Sequence, residues 1–410
     1  MTRSRTLPAL AAAISLALSA SSLSLAQLTT NQAGNAAPSS SHLRPDSAFT
    51  VDPSGSGDFA SLQEAVNSVP SGALVLLVPG TFAGADIHGM SLRVESVVPG
   101  SSELTGPLTV TGVGLADEVS LGGLLFTEGF RVENCAGDVT LTGCLAINDG
   151  APALYPPGLN GGFPGHCGSG TSRHRIINSE AVTLVGCSLA GRKGAEWGCD
   201  GTPGEHALMV EGSRVAIYGG TFDGGNGGNG YDCHGVWGGS GGDALWVDGA
   251  KSRVFHRSTV LNGGTGGLNI STGAVDGCNG DPVRTYAGAT VDEDVIASLT
   301  FDIDALTRPD QIASYTLTAP PGAEIYLMLA PRRSWREFVT EQGLLHLDSS
   351  LQLVPLGVMG SSGTLTRPFP TPSPAWRSGF ASVEVQAYAR VAGEDRYSEP
   401  RTLQATYVGQ

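Results

Sequence analysis

The sequence predicts an all-β protein: a right-handed parallel β-helix (a single-stranded solenoid) followed by a small antiparallel β-sandwich. Three observations lead there. One β-rich pattern recurs through the middle of the chain, glycine-rich inserts interrupt it at equivalent places, and from about residue 289 the inserts give way to alternating strands. Of 410 residues, 40% are hydrophobic, enough for a sizeable core, while only 15% are charged against about 25% in ordinary soluble domains. The formal net charge of −15 argues against a nucleic-acid or anionic-membrane partner, either of which needs a basic face.

In chain order, the opening reads as an export signal over residues 1–26. Arg3 and Arg5 give a basic start, Leu7 to Leu18 a twelve-residue apolar stretch, and Ser24 and Ala26 the small residues of a cleavage site. Twelve residues fall short of the roughly 20 needed to cross a bilayer, so the mature chain is expected to lack a membrane span. The expected location is secreted or cell-envelope, where cysteines can be oxidised. Residues 27–47 are polar and aperiodic and read as a disordered linker.

Structure is expected from residue 48 to 288 as one solenoid. Phe49–Val51 begins as a strand. A short helix follows, with Ser61 and Glu64 as a capping box and Leu62, Ala65, Val66 and Val69 on one face. Ala73–Val78 is apolar throughout, as a strand covered on both faces must be. The segments FRVENCAGDVTLTGC (130–144), RIINSEAVTLVGC (175–187), LMVEGSRVAIYGG (208–220) and LWVDGAKSRVFHRS (245–258) then repeat one pattern, with Val132, Ile177, Val210 and Val247 as matching positions. Without inserts the unit is roughly 20–25 residues, the size of a solenoid rung.

The inserts occupy 158–172, 191–205 and 224–242, with GGTGG and GAVDGCNG after them, and 33 of the 59 glycines fall within 151–280. Stacked rungs would place these loops side by side, and glycine would allow both positive-φ turns and close backbone approach. Residues 289–410 read as the sandwich, with Val383, Val385, Ala387 and Ala389 inward and Ser382, Glu384, Gln386 and Tyr388 outward.

The entry segment VDPSGSGDFASLQEAVNSVPSG, together with VPGTF, resembles the opening of pectinesterases. The repeat resembles the secreted right-handed parallel β-helix group, the pectin-lyase-like fold. That resemblance implies relatives that act on polysaccharides by de-esterification, lyase or hydrolase chemistry. The paired Gln-Asp and Asp-Phe motifs and the Gly-Arg-x-Trp of pectinesterases have no counterpart in 83–288. No catalytic residue is therefore carried over, and pectinesterase activity is not expected. A polysaccharide lyase or a glycoside hydrolase are the enzyme alternatives.

Candidate chemistry lies on the loops. Asp200, Glu205, His206, Asp223 and His234 are the candidate catalytic residues, since two suitably spaced carboxylates serve glycoside hydrolysis. Arg173, Arg175, Arg192 and Arg257 could stabilise a lyase enolate. Trp197, Tyr231 and Trp237 are candidate sugar-stacking residues. Cys167, Cys199, Cys233 and Cys278 each sit in a glycine-rich loop, with Cys167–Cys199 and Cys233–Cys278 the first pairing to consider. Zinc bound by these cysteines with His166 and His234 lacks a tight C-x₂-C pair. No cofactor is otherwise expected, apart from calcium at Asp232 and Asp243, where GGSGGDALW (238–246) fits the calcium-binding nonapeptide. The function expected is binding, with or without processing, of an extracellular polysaccharide at the loop-decorated edge. The alternative is a non-catalytic surface or adhesive scaffold. Oligomeric state is left open by the sequence.

Overall fold

The structure, a computed structural model, describes residues 48–146, 171–197, 200–230, 238–268, 276–294, 299–303, 314–330, 333–336, 345–347, 352–368, 381–391, 394–398 and 401–405. These all fall within one compact unit, Leu43–Gln410. The expected export signal and the whole expected linker, 1–47, lie outside the described residues, as do Cys167, Cys199 and His166.

Three parallel sheets carry residues 48–294. The first holds Ala48–Val51, Ala73–Leu77, Leu92–Ser96, Glu118–Gly122, Asp138–Thr142, Ala181–Val185, Arg214–Tyr218, Arg253–Arg257 and Thr290–Asp294. The second holds Gly80–Phe82, Ser102–Leu104, Leu124–Phe126, Leu145–Ala146, Ser188–Ala190, Thr221–Asp223 and Val260–Asn262. The third holds Ala85–His88, Leu108–Thr111, Phe130–Glu133, Arg175–Ile177, Leu208–Glu211, Leu245–Asp248 and Val283–Thr285. The chain visits first, second and third sheets in turn and then stacks the next round on the last, the strand order of a parallel β-solenoid.

Period-two alternation puts every other side chain inside. On the first sheet Leu92, Val119, Val139, Val182, Val215 and Val254 stack in register, and on the second Phe82, Leu104, Phe126, Ala146, Leu189, Phe222 and Leu261. Most of these are buried in one apolar core. On the third sheet the inward column is Val110, Val132, Ile176, Val210 and Val247. Ile176, and not Ile177, therefore matches Val132. Both isoleucines are apolar, so the pattern alone could not choose between them. The turn beyond fixes the choice, because Gly112, Asn134, Asn178, Gly212 and Gly249 all follow the strand at positive φ, a conformation open to Gly and tolerated by Asn.

One end of the coil is closed by helix α1 (Leu62–Ser68). Ser61 caps it, its hydroxyl accepting from the Glu64 amide, while Leu62, Ala65 and Val66 are buried against the core. The Glu64 carboxylate accepts from the Ala60 amide at 3.3 Å, a variant of the expected box that satisfies an additional N-terminal donor.

From residue 191 on, the described parts of the inserts between the second and third sheets are not loose loops. Six runs, 191–195, 201–205, 224–230, 238–243, 263–268 and 277–281, bond to one another laterally. Gly225 and Gly228 donate to Glu205 and Thr202, Gly242 and Gly239 to Gly225 and Gly228, Gly264 and Gly267 to Gly242 and Gly239, and Gly280 and Gly277 to Gly264 and Gly267, all at 2.7–2.9 Å. Donors recur every third residue, and no backbone bond joins two residues of one run. That is the repeat of a polyproline-II-type helix, whose backbone groups all point sideways. None of the glycines bonding here has positive φ, so the expected positive-φ role is not why they are glycine. They are glycine because the runs nearly touch. A Cβ on Gly194, Gly201, Gly225, Gly228, Gly239 or Gly242 would lie within 2.0 Å of a neighbouring carbonyl oxygen.

From residue 299 the strands are antiparallel. Thr300–Ile303, Ser314–Thr318 and Thr364–Pro368 form one sheet, and Gln352–Val358, Glu324–Ala330, Ala381–Val391, Glu394–Tyr397 and Arg401–Ala405 a second. Phe301, Tyr315 and Leu317 of the first share a buried cluster with Ile325, Leu327, Val385, Ala387 and Ala389 of the second. Gln386 and Tyr388, expected to face outward, are buried as well. Gln386 Nε2 donates to the Ser398 carbonyl at 2.7 Å, and Tyr388 packs among Met328, Tyr326 and Tyr397. Arg257 of the first solenoid sheet donates to the Tyr397 carbonyl, which places it away from the loops it was grouped with by sequence.

Candidate functional site

The third sheet turns two columns of side chains outward, one on either side of the buried Val132–Val247 column. One is Arg131, Arg175, Met209, Trp246 and Arg284; the other Glu133, Ile177, Glu211, Asp248 and, one residue past the last strand, Tyr286. At about 4.8 Å per strand this makes a strip roughly 20 Å long. At one end of it the Trp246 and Tyr286 rings lie 5.5 Å apart at 42°, with Tyr286 40% exposed. Arg131 pairs with Glu133 at 3.8 Å.

Behind Trp246 sits a buried polar group. His206 stacks on the indole at 6.1 Å, and Asp243 Oδ2 lies 3.2 Å from His206 Nδ1 and 3.1 Å from Arg284 Nε. The Asp281 amide donates to Asp243 Oδ1 at 2.7 Å, and Arg284 Nη2 reaches the Asp281 carboxylate at 2.8 Å. The Asp243 amide donates to His206 Nδ1 at 2.9 Å. His206 and Asp243 are both 0% exposed. Asp243, named above for calcium, thus has a guanidinium as its counter-charge.

Glu205, the neighbour of His206 in sequence, points into a separate network. It accepts from the Arg192 amide at 3.2 Å and lies 3.9 Å from Arg173 Nε. Burial pushes its carboxyl up, against the pull of the Arg192 amide and of the Arg173 and Arg192 guanidiniums. Arg192 holds Glu128 at 2.7 Å, and both arginines donate to the Thr127 carbonyl. Asp223 ends a second-sheet strand and accepts from Asn262 Nδ2 at 2.8 Å. Trp197 and Asp200 are paired across a two-residue antiparallel ladder. Tyr231, Asp232, Cys233, His234 and Trp237 lie outside the described residues. Cys278 is disulfide-bonded, with its partner beyond what is described. Cys135, Cys144 and Cys187 are free and buried, the last two on neighbouring rungs. The candidates grouped by sequence thus part into Glu205 with two arginines, His206 with Asp243, and Asp223 on another sheet.

His174, one place before Arg175, continues the inward column between Phe130 and Leu208, with its ring 5.1 Å from that of Phe130. Burial, and then the Arg173 charge, hold its imidazole well below the ordinary histidine range. The unfolded chain gains a proton below about pH 6.5 that the folded chain does not take up, so stability falls as pH drops through that value, by up to about 1.4 kcal/mol per pH unit. Urea unfolding at about pH 7.5 and about pH 5.5 should show this loss, and His174→Leu should remove most of it. His256, held down by burial in the same way, contributes in the same direction.

Trp246, Tyr286 and Arg284 were missed. Trp246 is 38 and 40 residues from Arg284 and Tyr286, and only the rung register brings it to them. No family model matches the sequence, and no curated protein does. Among solved structures the chain is similar to ORF18 of Geobacillus virus E2, at 9% identity over 76% of this chain and 75% of that one, with a TM-score of 0.24. It is also similar to the enzymatically active domain of tailspike protein 4 of bacteriophage CBA120, at 12% identity over 81% of this chain and 64% of that one, with a TM-score of 0.15.

Proposed function

We propose that the chain is a secreted, right-handed parallel β-helix protein, with a β-sandwich module over 289–410, that binds an extracellular polysaccharide along the outward strip of the third sheet. The observation that supports this reading is the Trp246–Tyr286 ring pair beside Glu211 and Asp248. An aromatic face takes the apolar side of a sugar ring, and adjacent carboxylates and guanidiniums take its hydroxyls. Arg131 and Arg175, neighbours in register, give a chain of net charge −15 a local place for an acidic polymer. The right hand of the coil follows the general rule for parallel crossovers.

Affinity gel electrophoresis against neutral and acidic glycans tests the reading, with product release as its second readout. Trp246→Ala should weaken binding by roughly tenfold or more. Binding that survives both Trp246→Ala and Tyr286→Ala would remove the strip as the site. No binding to any glycan would favour the second reading, a non-catalytic scaffold, for which the tightly bonded glycine runs are the supporting feature.

A further inference from the structure

We propose that a second copy of this chain docks end to end on the last turn of the solenoid, about a twofold axis, extending both its sheets and its glycine runs. The two ends of the coil differ. Helix α1 closes the first, whereas at the other no described strand pairs with the far edges of Val260–Asn262, Val283–Thr285 and Thr290–Asp294. The inward-facing Leu261, Val283 and Val291 are only partly buried there, and Val260 and Leu268 are 52% and 60% exposed. Open strand edges over an incompletely covered core are a template for further pairing.

The glycine runs indicate what fits. The carbonyls of Gly239 and Gly242 accept from Gly267 and Gly264 of the next round. The equivalent carbonyls in the last round, those of Gly277 and Gly280, meet no amide among the described residues. Their surface accepts a run with a donor every third residue, and this chain carries such runs. Direction is no obstacle. Gly224, Gly227 and Gly230 bond to Asn262, Thr265 and Leu268 of a parallel run, while Gly225 and Gly228 bond to Glu205 and Thr202 of an antiparallel one, all at 2.8–3.0 Å. A twofold partner presents antiparallel runs and strands, and sheets accept these as readily. Head-to-tail growth is blocked by α1, which leaves a closed pair, the self-complementary interface of a dimer. Of the acidic residues on this turn, Asp281 and Asp292 are each paired with an arginine, Arg284 and Arg253.

Sedimentation velocity of the full chain over a concentration series should show a monomer–dimer equilibrium. The double variant Val260→Lys with Leu268→Lys, at two exposed positions, should sediment as a monomer with an unchanged circular dichroism spectrum. Should that variant misfold, hydrogen exchange of the wild type gives the same answer, because amides of 260–268 and 277–285 should exchange more slowly as protein concentration rises. A wild type that stays monomeric, a dimer that survives both lysines, a species that grows beyond two copies, or exchange independent of concentration would each overturn the proposal.

Discussion

Gly228→Ala should destabilise the solenoid by on the order of 3–5 kcal/mol, in the upper tail of single-residue effects. The added methyl would sit 2.0 Å from the Ala195 carbonyl oxygen, 2.7 Å from its carbon and 3.0 Å from the Gly194 carbonyl carbon. All three atoms are backbone, so no side chain can swing aside. The runs 191–195 and 224–230 must separate, and Gly228 is bonded on both sides, donating to Thr202 at 2.9 Å and accepting from Gly239 at 2.9 Å. Separation strands amides and carbonyls inside the bundle, at about 1–3 kcal/mol for each group left without a partner. Gly186→Ala is the matched control. Its Cβ meets nothing within 4 Å, and its only handicap is a φ of +60°, worth about 1–2 kcal/mol. Equilibrium urea unfolding of both variants checks the order. Equal losses would mean that the runs part at little cost, and that close approach is not what requires glycine at 228.

That contrast bears on what the sequence discloses. Alternation within a strand is visible because the core rewards one face and water the other. The capping of α1 by Ser61 and three of the four matching positions, Val132, Val210 and Val247, were legible, while Ile177 was read in place of Ile176. Alternation fails where a polar residue finds a buried partner: Gln386 reads as outward, yet its amide reaches the Ser398 carbonyl inside. It fails again at His174, which fills a core position between Phe130 and Leu208 with both ring nitrogens buried. In the glycine inserts the three-residue spacing stands in plain view in GGNGGN, but glycine fits turns, linkers and packed runs alike, so the letters do not choose among them. Only lateral hydrogen bonds do. The same limit hid the strip on the third sheet. Trp246 and Tyr286 become neighbours through the length of the insert between their rungs, and no local pattern encodes that length.

Arg284→Met should cost about 3–5 kcal/mol at neutral pH, the usual penalty for stranding one member of a buried ion pair. Asp243 has no exposed surface, and the Arg284 guanidinium is the cation beside it, at 3.1 Å. Without it, among the described residues the buried Asp243 carboxylate keeps the Asp281 amide and the His206 ring beside it. The aliphatic part of Met fills much of the space that the Arg284 stem occupied, so lost packing contributes little. Adding Asp243→Asn to the same chain removes the stranded charge while keeping an oxygen that can accept from the Asp281 amide. The double variant should therefore recover most of the loss, and the coupling between the two substitutions should exceed about 2 kcal/mol. Urea unfolding of the wild type, both single variants and the double variant closes this cycle. If the two losses simply add, Arg284 stabilises the last turn through its contacts with Asp281 and Tyr286, and Asp243 is held by hydrogen bonds alone. The cycle also bears on the proposed binding strip. Arg284 and Trp246 are neighbours in register, and Asp243 joins Arg284 to the histidine stacked behind the indole, so a chain that loses this pair should lose the Trp246–Tyr286 ring geometry and, on the proposed reading, bind a glycan more weakly.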